Sequence, residues 1–499
     1  MTGRIRRIVA WWPPAVAGGM STLLWLFGAG KELWYSERFV QVVGARPWGE
    51  LFSLLKFENN PPLWFIVARV WQSIAGGSEM HARLLTLLIT LAFLTALWWC
   101  AKAMTDGITA RRSVLLASIA GFVVLQSVEY RMYSLLMLWS IVALYYAWCY
   151  SLRPERRYLV MLAAVNVLGV YTHYTYAVVA VFTFVWILWK QRLHWRAMAV
   201  SITATLACVA PWFVYSLWPI LSDLGNNLGV QQQSAPWWSL VLLPFHVFVP
   251  TVFLEATWLF VVRMSVSVAT MLFIMAAVRR RGTNGHTTPA RYLIIFVVCC
   301  IVFCSVLRLT LDKYATAAVP AVLMLAAIGI GTSKVPRALR VSLMAVIIVG
   351  SIVVSFILVR TPQTTYREAS EIVEQNEVAG DRLLVVPFND DIAVRPYYHG
   401  ALEVTGFFPS KKPGTITMED NIRNNFKSVV TVDTAERLSK YVGDARRVWV
   451  YYDIPMAQGF WNGNLIDAWF KRNDFVSVVY RSEFHNVPPL LVEYIRAAP

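Results

Sequence analysis

Two carboxylates, Glu37 and Glu58, stand in a part of the chain where charged groups are costly. They belong to the stretch from Leu33 to Arg83, which follows the first hydrophobic segment and precedes the second. Both acids should therefore lie close to the point where lipid begins, and acidic groups kept there usually serve a function. A carboxylate can take the proton of a hydroxyl group as that hydroxyl attacks a sugar carbon. The pattern favours chemistry on a substrate that is carried by a lipid.

Three further groups of ionisable and aromatic residues fall at the predicted outer ends of hydrophobic segments. They are the sequences EYRMY, YTHYTY and DKY, which begin at Glu129, Tyr171 and Asp312. Cations can hold a phosphate leaving group because they neutralise the charge that develops on it. Tyrosine and histidine can hydrogen-bond to sugar or phosphate oxygens. With the catalytic candidates Glu37 and Glu58, the candidate binding residues are Arg83, Glu129, Arg131, Tyr133, His173, Tyr174, Lys313 and Tyr314.

Each of these residues also has a purely structural interpretation. Glu37 could form a solvated ion pair with the arginine that follows it, and Glu58 could cap a helix that starts at the next two prolines. Glu129 and Arg131 could pair between helices, and His173 could belong to an aromatic belt at the membrane interface. The other histidines lack metal-ligand spacing, and few acids are available outside the membrane. The sequence therefore predicts no cofactor and no metal-ligand set, and it leaves the requirement for a divalent metal open.

The elements that must position these residues are membrane helices. The chain has 499 residues, of which 57% are hydrophobic and only 15% charged. Apolar runs of about twenty residues, the length that crosses a bilayer core, recur through the first 360 residues. The sequence predicts a polytopic α-helical membrane protein with about 11 transmembrane helices. The predicted spans are 11–30, 84–103, 113–128, 133–150, 158–172, 174–189, 197–217, 255–278, 292–308, 314–332 and 341–360.

The net charge of +16 is concentrated in short loops, which argues against nucleic acid as a partner. Basic clusters in alternate loops follow the positive-inside rule. They predict a cytoplasmic N-terminus, and an odd number of spans then places the C-terminus outside the cytoplasm. The clusters are Arg4, Arg6 and Arg7; Lys102, Arg111 and Arg112; Arg153, Arg156 and Arg157; Lys190, Arg192 and Arg196; Arg279, Arg280, Arg281 and Arg291; and Lys334, Arg337 and Arg340.

The last part of the chain, 361–499, differs in composition from the rest. It holds 15 basic and 18 acidic residues, a balance typical of a soluble domain. Strand-like segments at Arg382–Pro387 and Arg446–Asp453 alternate with helix-like segments at Arg367–Asn376 and Asn464–Arg472, which predicts a small extracytoplasmic α/β domain. We therefore expect a transmembrane catalytic domain at 1–360, with an outward amphipathic loop at 31–83, and a soluble domain at 361–499.

The order of these motifs resembles the GT-C glycosyltransferases. The closest branch is the family-39-like group, which includes bacterial aminoarabinose transferases and protein O-mannosyltransferases. The resemblance rests on SER, RPWGEL and ENNPPLWF, which begin at Ser36, Arg46 and Glu58, on Glu79 with Arg83, on EYRMY and YTHYTY, and on DKYATAAVPA. It is strong over residues 30–190. It implies the GT-C fold in the membrane part.

The resemblance also implies a reaction. It implies a polyprenyl-phosphate-linked sugar donor, transfer with inversion and a site outside the cytoplasm, which in a bacterial inner membrane protein is the periplasmic face. The family's first-loop aspartate, usually assigned as the base, aligns with Ser36, and only the following acid, Glu37, is retained. Either Glu37 or Glu58 has taken over as base, or the activity is altered or lost.

The chain leaves the acceptor and the class of function open. The acceptor could be lipid A, another envelope glycan or a protein. A lipid or glycan transporter or flippase is one alternative, although such proteins tend to have pseudo-symmetric halves. The other alternative is a glycan polymerase or ligase that uses a lipid pyrophosphate donor.

Overall fold

Helices make up most of the chain before residue 361 in the computed structural model. The structure describes residues 3–218, 246–250, 257–279, 288–307, 309, 312–386, 391–407, 432–452, 463–480 and 490–497. Arg280 and Arg281 of one basic cluster, and the predicted strand ends Pro387 and Asp453, lie outside these ranges.

Each predicted membrane segment corresponds to helix in the described residues. The helices are α1 (Gly3–Gly28), α2 (Tyr35–Gly44), α3 (Trp48–Leu55), α4 (Leu63–Ala75), α5 (Glu79–Met104), α6 (Gly107–Ile119), α7 (Gly121–Val128), α8 (Tyr133–Leu152), α9 (Arg156–Thr172), α10 (Ala177–Lys190), α11 (Trp195–Trp212), α12 (Thr257–Arg279), α13 (Pro289–Val306), α14 (Val319–Thr332) and α15 (Arg337–Arg360).

Seven described helical segments are long and apolar enough to cross a membrane, which supports a multi-pass membrane protein. The predicted span 113–128 is not one helix. It is divided into α6 and α7, which meet at an angle of 57° and count as an eighth crossing if taken together. The number of 11 crossings stays a prediction.

The chain divides into two compact units. The first comprises Met1–Gly30, Asn60–Val214 and Gln233–Arg360, and the second comprises Lys31–Asn59, Tyr215–Gln232 and Thr361–Pro499. Within the sequence region 31–83, the stretch up to Asn59 is therefore grouped with the C-terminal residues.

Helix α14 lies at the centre of the first unit. Its residues from Val319 to Ile330 are all buried, and it packs against α6, α8, α12 and α13. Small residues allow this close packing. A Cβ atom at Gly329 would overlap the backbone carbonyl of Phe273 on α12, so only glycine fits there.

The second unit contains a mixed five-stranded sheet with flanking helices. Its strands lie in the order β2-β1-β3-β5-β4. Strand β1 pairs in parallel with β2 and β3, whereas β5 pairs antiparallel with β3 and β4. The elements are α16 (Tyr366–Asn376), β1 (Arg382–Val386), α17 (Asp391–Val394), β2 (Val404–Gly406), α18 (Val432–Ala435), α19 (Ser439–Val442), β3 (Arg447–Tyr452), α20 (Gly463–Arg472), β4 (Phe475–Tyr480) and β5 (Leu490–Arg496).

Strands β1 and β3 are buried on both faces of the sheet, as the apolar run of β1 requires. Leu383 and Val385 face one core, to which α16 contributes. Leu384 and Val386 face the other, to which α20 contributes. Because successive side chains of a strand point to opposite faces, the sequence LLVV supplies both cores at once.

Candidate functional site

Three short connections of the first unit bring together most of the predicted binding residues. They are the turn from Glu129 to Met132 between α7 and α8, a 3-10 turn at Tyr174–Tyr176 before α10, and a 3-10 turn at Asp312–Ala318 before α14. The last of these contacts both α8 and the 174–176 turn. We call the residues Arg131, Tyr133, His173, Lys313 and Tyr314 the cation–histidine cluster.

His173 lies at the centre of the cluster and is buried. Its ring lies 5.9 Å from the ring of Tyr133 and 6.4 Å from the ring of Tyr314, measured between centroids. Its Nδ1 accepts the backbone N–H of Thr175 at 3.1 Å and lies 2.8 Å from the Thr175 hydroxyl. A neutral imidazole whose Nδ1 is an acceptor carries its proton on Nε2. His173 can therefore donate one hydrogen bond from Nε2.

Two cations accompany this histidine. The Arg131 guanidinium is 6.0 Å from the ring of Tyr133, and the Lys313 ammonium is 5.6 Å from the ring of Tyr314. Burial, and then the positive charges of Arg131 and Lys313, lower the pKa of His173 to about 3. The cluster thus holds two positive charges beside a neutral hydrogen-bond donor, an arrangement that suits a phosphate group.

Arg83 positions the chain that leads into the cluster. Its side chain is buried, and its Nε–H donates to the carbonyl of Val128, the last residue of α7, at 2.8 Å. The Trp25 indole N–H donates to the Arg83 carbonyl at 3.2 Å. A cation at the last carbonyls of a helix also interacts favourably with the helix dipole. Arg83 therefore fixes the end of α7 immediately before Glu129.

The other two candidates in this unit lie beside the cluster. Glu129 is half-buried at the end of α7, where its N–H bonds to Leu125 and its carbonyl accepts the N–H of Arg131 at 2.7 Å. Tyr174 is half-buried, and its hydroxyl accepts the indole N–H of Trp212 at 3.1 Å.

Glu37 belongs to the second unit, in the first turn of α2. It is 1% exposed, so its carboxylate is not solvated as it would be in an exposed ion pair at the membrane interface. One carboxylate oxygen accepts the backbone N–H of Trp34 at 3.2 Å. The neighbouring Arg38 donates to the side chains of Gln41 and Tyr397, the latter at 2.8 Å. Glu37 is thus held in a fixed orientation inside this unit.

Glu58 also belongs to the second unit, in the turn that follows α3. It is half-buried, and its N–H bonds to the carbonyl of Leu55 at 3.3 Å. Helix α4 begins later, at Leu63. The two predicted catalytic acids therefore share one compact unit, and the cation–histidine cluster lies in the other.

Two residues near these sites had no signal in the sequence. Thr175 fixes the tautomer of His173, but a threonine inside YTHYTY has many possible partners. Tyr397 accepts hydrogen bonds from Arg38 and from the backbone of Leu33 at 3.0 Å, and its partners are far away along the chain. Among the described residues, no group of three His, Cys, Asp or Glu side chains is arranged to hold a metal ion.

Part of the chain matches a known protein family. Residues 59–215 match the sequence model of a family described as dolichyl-phosphate-mannose-protein mannosyltransferase. This range includes α4 to α11 and the motifs at Glu129 and Tyr171. A search of curated protein sequences finds no significant match.

Solved structures resemble the chain over nearly its whole length. ArnT from Cupriavidus metallidurans in the apo state has a TM-score of 0.56 at 13% identity, and the match covers 97% of this chain and 98% of ArnT. ArnT bound to undecaprenyl phosphate gives 0.55 at 14% identity, with 96% and 97% coverage. The oligosaccharyltransferase AglB from Archaeoglobus fulgidus, in complex with an inhibitory peptide and a dolichol-phosphate, gives 0.56 at 9% identity, with 99% and 74% coverage.

These matches confirm the resemblance to the GT-C glycosyltransferases that the motifs predicted. The fold is shared over the whole chain, and the sequence similarity is concentrated in residues 59–215.

Proposed function

We propose that the protein is an integral-membrane glycosyltransferase that moves a sugar from a polyprenyl-phosphate donor to an envelope acceptor. The acceptor is a lipid, a glycan or a protein, and transfer takes place on the extracytoplasmic face. The observation that carries the proposal is the cation–histidine cluster, in which two cations and a neutral histidine converge within a membrane fold. Support comes from ArnT, which has the same fold and was solved bound to undecaprenyl phosphate.

The reaction assigns a part to each group. The acceptor hydroxyl attacks the anomeric carbon while a carboxylate, Glu37 or Glu58, takes its proton. The bond between the anomeric carbon and the phosphate oxygen breaks, and its electron pair leaves with the polyprenyl phosphate. Attack opposite the leaving group inverts the anomeric centre.

The cluster would act on the leaving group. Arg131 and Lys313 offset the charge that grows on the phosphate as the bond breaks. His173 donates from Nε2 to a phosphate or sugar oxygen, and Tyr133, Tyr174 and Tyr314 line the sugar. Arg83 and Glu129 hold the end of α7 in position.

Binding and transfer can be tested separately. Arg131→Gln and Lys313→Gln should each weaken binding of undecaprenyl phosphate to the purified protein by about tenfold or more, because each removes a charge-assisted contact. Arg153→Gln is the matched control, since Arg153 is exposed at the other end of α8, roughly 30 Å away. Equal loss in all three variants would contradict a specific phosphate site.

The base is tested by transfer from a radiolabelled polyprenyl-phosphate sugar to an envelope extract. Either Glu37→Gln or Glu58→Gln should lower the transfer rate by roughly 100-fold or more while undecaprenyl phosphate still binds. If both variants transfer sugar at the normal rate, neither acid is the base. A second assay measures lipid translocation and sugar transfer with the protein reconstituted in proteoliposomes. Lipid translocation without any sugar transfer would favour a flippase instead.

A further inference from the structure

A groove lies between α1, α5 and α6, away from the cation–histidine cluster. Its volume is about 490 Å³, which is within the range of ligand pockets, roughly 300–1,000 Å³. Trp12, Trp98 and Ile108 supply apolar walls, and Lys102 and Arg111 supply positive charge. Lys102 is in the last turn of α5, whereas Arg83, which fixes the end of α7 next to the cluster, is near its start, so Lys102 and Arg83 are roughly 28 Å apart along this helix.

The two cations are available to a ligand. Both are exposed, and each lies over an indole ring: Lys102 is 5.7 Å from Trp98 and from Trp99, and Arg111 is 5.6 Å from Trp12. Within the part of the chain that the structure describes, neither has a carboxylate partner. Cations placed against indoles at the edge of a membrane span are suited to lipid headgroups.

One carboxylate, Asp106, also borders the groove, but its oxygens are occupied. One oxygen accepts the backbone N–H groups of Ile108 and Thr109 at 2.8 and 2.9 Å, and the other accepts the Thr109 hydroxyl at 2.7 Å. Asp106 is therefore the N-cap of α6, and its negative charge is directed at the start of that helix. Lys102 and Arg111 remain to meet an anion.

The apolar walls indicate what kind of anion fits. Trp12 is 42% exposed and Ile108 is 54% exposed, and both line the groove, so the groove offers apolar surface that suits acyl chains. A small soluble anion would leave this surface unused, whereas a phospholipid covers it and places its phosphate between the cations. Basic pockets between membrane helices commonly bind anionic lipid headgroups.

We propose that this groove binds an anionic phospholipid, whose phosphate lies between Lys102 and Arg111 and whose chains lie along Trp12 and Ile108. The lipid comes from the leaflet that the basic loops face. The proposal does not depend on the proposed glycosyl transfer, because no residue of the cation–histidine cluster takes part.

The test uses the full-length protein in nonionic detergent, with phosphatidylglycerol as the probe and native mass spectrometry as the readout. Lys102→Gln combined with Arg111→Gln should weaken phosphatidylglycerol binding by about tenfold or more. Ile108→Glu should do the same by placing a negative charge in the groove, and this exposed residue in the first turn of α6 tolerates an acid well. Phosphatidylcholine should bind weakly to all forms.

The matched control removes two other basic-loop charges, in Arg192→Gln combined with Arg196→Gln. Both residues are exposed and neither borders the groove, so binding should change by less than about twofold. If this control loses as much phosphatidylglycerol binding as the groove variants, the lipid is attracted to basic loops in general. If the groove variants bind phosphatidylglycerol as the wild type does, the groove is not a lipid site. If undecaprenyl phosphate displaces phosphatidylglycerol from the groove at lower concentration, the phospholipid assignment is wrong.

Discussion

His173 has a neutral imidazole ring, and two cations, Arg131 and Lys313, lie near it. Its Nδ1 accepts the N–H of Thr175, so protonation of Nδ1 would break that contact and also create a cation beside Arg131 and Lys313. The Nε2–H of His173 can therefore act as a neutral donor to a phosphate throughout the physiological pH range.

The lowered pKa of His173 predicts a pH dependence of stability. In the folded protein this pKa is about 3, whereas an unfolded histidine titrates near pH ~6.5. Between these values the unfolded chain binds the proton more readily, so the stabilisation is complete above pH ~6.5 and is lost as pH falls toward 3. The slope is at most roughly 1.4 kcal/mol per pH unit. The apparent Tm of the wild-type protein in detergent should therefore fall in acid more steeply than that of His173→Gln.

The control for this experiment is His194→Gln, which changes an exposed histidine. Its Tm should follow the wild-type curve. Parallel curves for wild type and His173→Gln would show that the histidine is not buried as a neutral ring.

At the residue scale, the sequence indicated which residues are candidates for the site better than it indicated what each side chain contacts. The motifs indicated Arg131, His173 and Lys313 as candidate binding residues, because ionisable residues at the ends of apolar runs are conspicuous. The same reasoning grouped Arg83 with the phosphate ligands, which stays a prediction, but it did not predict that the Arg83 Nε donates to the end of α7. The role of a side chain depends on which carbonyl is nearest, and spacing does not contain that information.

At the scale of elements, the positions of the membrane helices could be predicted and the bend between α6 and α7 could not. Apolar runs of bilayer length mark the helices directly. The bend depends on Gly121, whose N–H donates to the carbonyl of Phe248 at 3.0 Å. Nothing in the sequence distinguishes this glycine from others in apolar helices, because its partner lies in a different segment of the chain.

Gly121→Ala should destabilise the protein. A Cβ atom there would lie 2.7 Å from the Phe248 carbonyl oxygen and 2.9 Å from Pro250, so the backbone must shift. We expect a cost of about 1–3 kcal/mol, visible as a lower Tm. Weaker undecaprenyl phosphate binding should follow, since α7 leads to Arg131.

Gly19→Ala is the matched control for the bend. Gly19 lies in α1, is exposed, and a Cβ atom there meets nothing within 4 Å. Alanine should therefore be neutral or stabilising by up to about 1 kcal/mol. If the two variants behave alike, the close approach of Gly121 to Phe248 does not constrain the fold.

At the scale of the whole molecule, the sequence located two helices and two strands of the second unit, but it did not predict that residues 31–59 belong to that unit. Helices α16 and α20 and strands β1 and β3 lie within a residue or two of the predicted segments. The grouping of residues 31–59 with the C-terminal part had no local signal. It depends on pairs such as Arg38 with Tyr397, which are 359 residues apart.

Tyr397 connects these distant segments, and Tyr397→Phe tests how much they depend on each other. The hydroxyl accepts from Arg38 and from the Leu33 backbone, and the ring lies 5.1 Å from the Arg38 guanidinium and 5.4 Å from that of Arg367. Phenylalanine keeps the ring but leaves two donors without this acceptor, at a cost of about 1–3 kcal/mol. We expect faster hydrogen exchange in residues 31–59, and lower transfer activity because Glu37 lies in this segment.

Tyr452→Phe separates this effect from general loss of stability. The Tyr452 hydroxyl bonds to that of Tyr494 inside the sheet domain, so its removal should destabilise the domain without a selective change in residues 31–59. Selective exchange in Tyr397→Phe alone would mean that the C-terminal residues hold the segment that carries Glu37. Equal exchange in both variants would mean that this segment responds only to the overall stability of the unit.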